Sequence, residues 1–365
     1  MSEYIVIGTI IAAFAVAAVL SYFFTPPVKN FAHKVGAIDV PKDARRMHKK
    51  PIPRLGGLAI YGGFLCSILI FGQLDETMLC VLLGAAIIVA LGIFDDVLAL
   101  GAKLKFVVQI VAAAIPVCIG DLQIGLFTNL NPLSDTPFVH LGILAVPATI
   151  IWIVGITNAV NLIDGLDGLA VGVSSIAAIT MLAVALLTGN MPIAITMAAL
   201  AGACIGFMPY NLNPAKIFMG DTGSTFLGFM LSSISIYGLF KMYAIISFAV
   251  PFLVLGLPIF DICFAVIRRV SKGQSPMHAD RGHVHHRLID MGFSQKQAVA
   301  IAYMLSAILG MAAVVLTNDG EMKALIFIGA VIVVGAIGVL VIFHRHPDKT
   351  EENAKKPEEE PHEEN

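Results

Sequence analysis

FVHLGILAVPATIIWIVGITNAVNLIDGLDGLAVGVSSIAAITMLAVALL occupies residues 138–187. The stretch before Asn158 carries His140 as its only ionisable side chain, and the stretch after Gly168 carries none. Between them sit Asn158, Asn161, Asp164 and Asp167, with Gly165 and Gly168 interleaved. Each flank is long enough to cross roughly 30 Å of hydrocarbon as a helix. The segment therefore reads as two membrane helices meeting at a polar corner.

The same pattern extends over the chain. Its 365 residues are 58% hydrophobic and 13% charged, about half the charged share of an ordinary soluble domain. Eleven apolar runs read as helices: 4–24, 55–72, 78–94, 106–119, 139–155, 169–187, 192–209, 224–240, 243–266, 298–316 and 325–343. They are too long for barrel strands, and in lipid every backbone polar group needs an internal partner. The expected fold is all-α and polytopic. Residues 1–343 form the membrane domain, and the acidic, Pro-rich stretch 344–365 forms a disordered cytoplasmic tail. The first run follows Ser2 and Glu3 rather than basic residues, so it reads as a span and not as a cleaved signal.

Basic residues orient the array. With the N-terminus outside, alternate connections place 21 of the 23 Lys and Arg on one side and only Lys241 and Lys323 on the other. The first side is then cytoplasmic. All five cysteines lie inside apolar runs without a CxxC pair, and read as small buried hydrophobes rather than disulfides or metal ligands.

The polar motifs gather on that cytoplasmic side. Asp95 and Asp96 end the third run, where adjacent like charges are costly unless a cation or phosphate site uses them. Asn158, Asn161 and Asp164 are spaced three residues apart and share a broad face if the fifth helix continues. FMGDTGS, residues 218–224, sets Asp221 between glycines just before a helix start, a place that suits a phosphate and a hard cation. HADRGHVHHRL, residues 278–288, brings His278, Asp280, Arg281, His283, His285, His286 and Arg287 together. Its spacing is not that of a zinc site, and it better suits phosphate oxygens. Lys49, Lys50 and Arg54 form a further basic group. Each motif alone also fits a solvated loop or capped helix. Together they suit a diphosphate substrate whose other partner lives in the bilayer.

NAVNLIDGLDGL, FMGDTGS, the Asp95–Asp96 pair and the histidine loop resemble the polyprenyl-phosphate N-acetylhexosamine-1-phosphate transferases over roughly residues 5–343. This superfamily includes the phospho-MurNAc-pentapeptide translocase. The resemblance implies ten or eleven spans, a cytoplasmic Mg²⁺-dependent site with Mn²⁺ as a substitute, and transfer of a sugar-1-phosphate from a UDP-sugar to undecaprenyl phosphate with release of UMP. The pentapeptide branch carries His-His-His-Phe-Glu where this chain has His283-Val284-His285-His286-Arg287. The segment is similar instead to the UDP-GlcNAc branch, of the teichoic-acid or enterobacterial-antigen type.

The resemblance also implies residue roles. Asp221 would bind Mg²⁺, with Asp96 beside it, and Asp95 would serve as a base at the lipid-phosphate end. Asp164 and His283 would belong with these catalytic groups. Asn158, Asn161 and Asp167 would line the nucleotide region, and Asn211 and Phe218 would meet the uridine. Lys49, His278, Asp280, Arg281, His285 and His286 would bind the substrate. The partners expected are UDP-GlcNAc, undecaprenyl phosphate, the bilayer and, as an open alternative, a second copy in a homodimer. No nucleic acid is expected. The site would face the cytoplasm across a bacterial cell membrane. A transporter is disfavoured because the charges sit at one face rather than mid-membrane. A CDP-alcohol phosphatidyltransferase is disfavoured because DGLDGLAVG lacks the Arg that such enzymes carry.

Asp96, Asp164, Asp221 and His283 are expected on one cytosolic face. Single cysteines beside them in a cysteine-free background should resist an impermeant thiol reagent in intact cells. Labelling of any one from outside would break the topology.

Overall fold

The computed structural model describes residues 3–41, 50–128, 138–239, 246–271, 273, 283–317 and 329. Twelve α-helices account for most of them: α1 (Glu3–Val35), α2 (Gly57–Phe71), α3 (Glu76–Leu98), α4 (Ala102–Cys118), α5 (Ala145–Ile163), α6 (Leu169–Leu187), α7 (Met191–Asn211), α8 (Gly220–Ile234), α9 (Ile246–Val254), α10 (Gly256–Ser271), α11 (Val284–Asp290) and α12 (Gln295–Thr317). Among the described residues, six segments are long and apolar enough to span a membrane: Tyr4–Val35, Glu76–Leu98, Gly142–Ile163, Leu169–Leu187, Met191–Asn211 and Gln295–Thr317. α2 is a shorter apolar helix.

Local sequence explains several of the ends. Asp75 caps α3 by accepting from the Met78 N–H at 2.8 Å. Asn190 caps α7 just before a proline in the first turn. His33 and Lys34 lie in the last turn of α1, where they complement the negative end of the helix dipole.

Several elements differ from the sequence reading. α1 continues past residue 24 and carries Pro26 and Pro27 inside it. The run 243–266 is divided at Leu255, between α9 and α10. Pro258 lacks the N–H that would bond the Val254 carbonyl, so the ladder fails there. α8 starts before Ser224 and passes into a π-helical turn, Ser235–Leu239. α11 stands in a segment expected to be loop.

Two antiparallel ribbons were also not foreseen. β1 (Ile38–Asp39) pairs with β2 (Ile52–Pro53), and β3 (Leu126–Thr128) pairs with β4 (Phe138–His140). The fifth helix accordingly begins at Ala145, after a 3-10 turn at Gly142–Leu144, rather than at residue 139. Residues 325–343 and the tail 344–365 lie, apart from Gly329, outside the described residues.

α6, α7 and α8 form the centre. α8 buries nearly every side chain, with Phe226 and Phe229 fully enclosed. Large apolar residues such as Ile11, Phe23, Leu69, Leu83 and Ile151 face outward. In water such a surface would associate, whereas lipid accommodates it. The cysteines are free but not all buried: Cys80 and Cys204 are, Cys66 is half-buried, and Cys118 and Cys263 lie on the exterior.

Candidate active site

The end of α3 meets the start of α8. Asp96 is buried, and its Oδ1 accepts the Asp221 N–H at 3.0 Å. Its Oδ2 accepts the Thr222 N–H at 3.0 Å and the Thr222 hydroxyl at 2.7 Å. The first N–H groups of a helix have no partner within it. The residue in the capping position of α8, Met219, makes no side-chain cap bond, so Asp96 caps α8 from another helix. Two glycines allow the approach. A Cβ on Gly92 would lie 2.3 Å from the Thr222 Cα, and one on Gly220 would lie 2.4 Å from Asp96 Oδ2. Gly220 also has φ +72°, which an L side chain rarely adopts.

Cations complete the corner. Arg54 Nε lies 3.3 Å from Asp96 Oδ1, and its Nη2 lies 3.9 Å from Asp221 Oδ1. Lys105 Nζ bridges Asp95 Oδ2 at 2.8 Å and Asp221 Oδ2 at 2.9 Å. Asp95 Oδ1 also accepts the Leu100 N–H at 2.8 Å, which fixes the turn after α3. Burial would raise the Asp221 carboxyl, but contact with Asp95 and the Lys105 ammonium outweigh it and hold the group at about 2. Lys105 entered the sequence reading only as a positive-inside charge. Its signal was its proximity to the Asp95–Asp96 pair in the same connection.

A cavity of about 310 Å³ opens beside this corner. Asn161, Asp164, Asp167, Phe218, Asp221 and His286 reach it. Asn211, Arg54, Asp39 and Gln295 also reach it; Asp39 and Gln295 were not singled out from sequence. Asn161 ties α5 to α8 by donating to Ser224 Oγ at 2.8 Å. Asp164 sits just beyond the end of α5, and burial, reinforced by Asp221, pushes its carboxyl up to about 7. Asp167 Oδ2 accepts the Ala215 N–H at 3.0 Å and the Asn213 amide at 2.9 Å. Asn211 accepts the Gly168 N–H at 3.2 Å and donates to the Ile217 carbonyl at 3.0 Å. Tyr303 holds the same corner by donating to the Gly168 carbonyl at 2.5 Å. A second cavity, of about 560 Å³, adjoins Asp167 and Gln295 and is lined by Lys29, Lys50 and Lys216.

Several expectations need correction. Asn158 does not face the cavity: its amide donates to Gln109 Oε1 at 2.6 Å and to the Val154 carbonyl at 2.8 Å, toward α4. α5 stops at Ile163, so Asn158, Asn161 and Asp164 do not share one helical face. Asp96 does not present a free oxygen for a metal, because both oxygens are engaged by α8 and Arg54. His283 is buried on Asp261 and does not line the cavity, whereas His286 does. His285 is buried too, and burial, with His286 beside it, holds its imidazole down at about 3. Lys49, His278, Asp280 and Arg281 lie outside the described residues.

The model of the glycosyl transferase family 4 matches residues 78–239. That span contains Asp95, Asp96, Lys105, Asp164 and Asp221. A Bacillus subtilis (strain 168) relative, "Probable undecaprenyl-phosphate N-acetylglucosaminyl 1-phosphate transferase", is 43% identical over 310 residues, 85% of either chain. The chain belongs to glycosyl transferase family 4. Within this family, the "Decaprenyl-phosphate N-acetylglucosaminephosphotransferase" of Mycobacterium tuberculosis (strain ATCC 25618 / H37Rv) is 34% identical, covering 91% of this chain and 89% of its own. The "Undecaprenyl-phosphate alpha-N-acetylglucosaminyl 1-phosphate transferase" of Escherichia coli O157:H7 is 27% identical over 77% of each.

The resemblance also implies a magnesium ion. No three His, Cys, Asp or Glu side chains among the described residues converge as a metal cage. Mg²⁺ rarely uses one: it keeps waters and binds one or two carboxylates together with substrate phosphates. Asp221 and Asp164 line the same cavity as that kind of donor set, so the residues present fit the ion.

Proposed function

We propose that this family 4 protein transfers GlcNAc-1-phosphate from UDP-GlcNAc to undecaprenyl phosphate, releasing UMP. The product, undecaprenyl-diphospho-GlcNAc, would begin an envelope polysaccharide of the teichoic-acid or O-antigen type. The observation that carries the reading is Asp221, held between Lys105 and Arg54 at a helix start and open to a cavity at the end of an apolar helix array. An anionic nucleotide sugar can enter from water there while a lipid phosphate arrives from the bilayer. The names of the relatives supply the sugar and the lipid class. In this reading eleven spans cross the cell membrane, the N-terminus is outside, and the cavity faces the cytoplasm. The 21-to-2 distribution of basic residues supports that orientation.

The chemistry follows from charge. A phosphate monoester has a second pKa near 6, so the lipid phosphate is largely dianionic at pH 7 and needs little activation. Its oxygen forms a bond to the β-phosphorus of the donor as the bond from that phosphorus to the bridging oxygen breaks, and UMP leaves with that oxygen. Lys105 and Arg54 offset the charge of the diphosphate. Asp95, with both oxygens engaged, orients Lys105 rather than acting as a free base. Asn211 fixes the loop at Gly168, and Phe218 offers a ring to the uracil. Asp221 and Asp164 are the residues that would hold Mg²⁺, and the ion would supply charge neutralisation at the diphosphate and leaving UMP. A covalent route through Asp221 would use a weaker nucleophile than the lipid phosphate and would remove the carboxylate that fits the cation.

Two measurements check this. Purified enzyme should release UMP faster with UDP-GlcNAc than with UDP-MurNAc-pentapeptide, and Asp221→Asn should lower turnover by roughly 10²-fold or more with folding intact. Near-normal activity with unchanged Mg²⁺ dependence would remove Asp221 from this role. Enzyme stripped of lipid phosphate should not exchange labelled UMP into UDP-GlcNAc. Lipid-independent exchange would show a covalent sugar-phosphate enzyme instead.

A further inference from the structure

Asp261 lies within α10 and is 2% exposed, in the otherwise apolar run GLPIFDICFAVI. A carboxylate buried there is costly unless it is paired and hydrogen-bonded. Both of its oxygens are used. Oδ2 lies 2.7 Å from His283 Nδ1, and Oδ1 accepts the Val284 N–H at 2.7 Å. Asp261 thereby grips α11 at its first residues.

From there a row of rings leads to the cavity. His283 and His285 are nearly parallel, at 10° with centroids 5.9 Å apart. His285 and His286 are 4.3 Å apart. His285 is wedged against the corner after α5: a Cβ on Gly165 would lie 2.2 Å from its Nε2. That nitrogen has no hydrogen-bond partner among the described residues, so on this side the ring is held by packing against Gly165. His286, at the end of the row, lines the cavity.

We propose that Asp261 is a positioning residue for the donor substrate: through His283 it fixes α11 so that His286 meets the diphosphate end of the nucleotide sugar. The proposal rests on the cavity being the UDP-GlcNAc site. Apolar side chains of similar volume often fill such a space as stably as a buried Asp–His pair. An ionisable residue inside an apolar helix therefore points to function, with its partner named here as His283. The arrangement also explains how a histidine outside the cavity serves the reaction, by setting the place of one inside it.

The test uses the purified full-length enzyme with UDP-GlcNAc and undecaprenyl phosphate. Asp261→Ala should raise KM for UDP-GlcNAc by roughly tenfold and leave KM for undecaprenyl phosphate within about twofold. Asp261→Asn can accept from Val284 and still bond His283, so it should restore most of the loss. In a His286→Ala background, Asp261→Ala should add less than about twofold, because the two act as one unit.

Diethyl pyrocarbonate mapped by mass spectrometry reads position without turnover. In the wild type, His286 should react and be protected by UDP-GlcNAc, while His283 and His285 stay unreactive. Asp261→Ala should make His283 and His285 reactive. An unchanged reactivity pattern, equal KM shifts for both substrates, or full additivity with His286→Ala would overturn the proposal. If UDP-GlcNAc fails to protect His286 and His286→Ala leaves its KM unchanged, the assignment of the cavity falls and the substrate role of Asp261 falls with it. The reactivity of His283 still separates that result from loss of the anchor. Should Asp261→Ala not accumulate, His283→Ala carries the same test, read on His285 reactivity and KM.

Discussion

The Asp96 carboxylate joins two helices whose dipoles treat it oppositely. It sits in the last turn of α3, where that helix's negative end disfavours an anion. It also sits at the start of α8, whose unpaired N–H groups favour one. Four contacts settle the balance: two N–H groups and a hydroxyl of α8, and the Arg54 guanidinium. The same bonds set the direction in which the next carboxylate, Asp221, points. Everything at the cavity depends on that setting, because Lys105, Arg54 and Asn161 are arranged around Asp221. The glycines at 92 and 220 follow from it, since a side chain at either would push the two helices apart.

A site built this way divides labour between neighbouring residues of like type. Asp95 and Asp96 are adjacent in sequence, yet one holds a lysine and a turn while the other caps a helix. Asp164 reaches the cavity from just beyond α5 and Asp221 from the first turn of α8, and Asp167 pins the loop after α7. The histidines divide similarly, with His283 anchored on α10, His285 packed and His286 at the wall. The membrane makes such arrangements worthwhile: in a low-dielectric surrounding, an unpaired charge costs far more than in water.

The helix array was legible because hydropathy is local. The runs at 169–187 and 192–209 match α6 and α7 closely, and the polar corner between α5 and α6 was recognised from its residues alone. The misreadings have local causes of another kind. The first apolar run ends at residue 24, yet the packed α1 continues through Pro26 and Pro27, while Pro258 does break the ladder between α9 and α10. The strands of the short ribbons are only two or three residues long, too short for any periodicity to reveal. In the site, the residue types were readable and their orientations were not. Asn158 turns toward Gln109 on α4, and Lys105 turns toward Asp221, over 100 residues away. Both facts belong to tertiary contact. The histidine row was visible as composition, but its anchor Asp261 lay hidden in an apolar run.

The measurement that bears most directly on this account is hydrogen–deuterium exchange of the enzyme in micelles, read on peptides covering residues 217–226 in the wild type and in Asp96→Ala. If Asp96 caps α8 from across the bundle, the Asp221 and Thr222 amides should lose roughly tenfold in protection, the scale of a lost helix cap. Peptides from α6 and α7 should not change. Equal protection of residues 217–226 in the two proteins would contradict the account, because α8 would then hold its start, and Asp221, without Asp96.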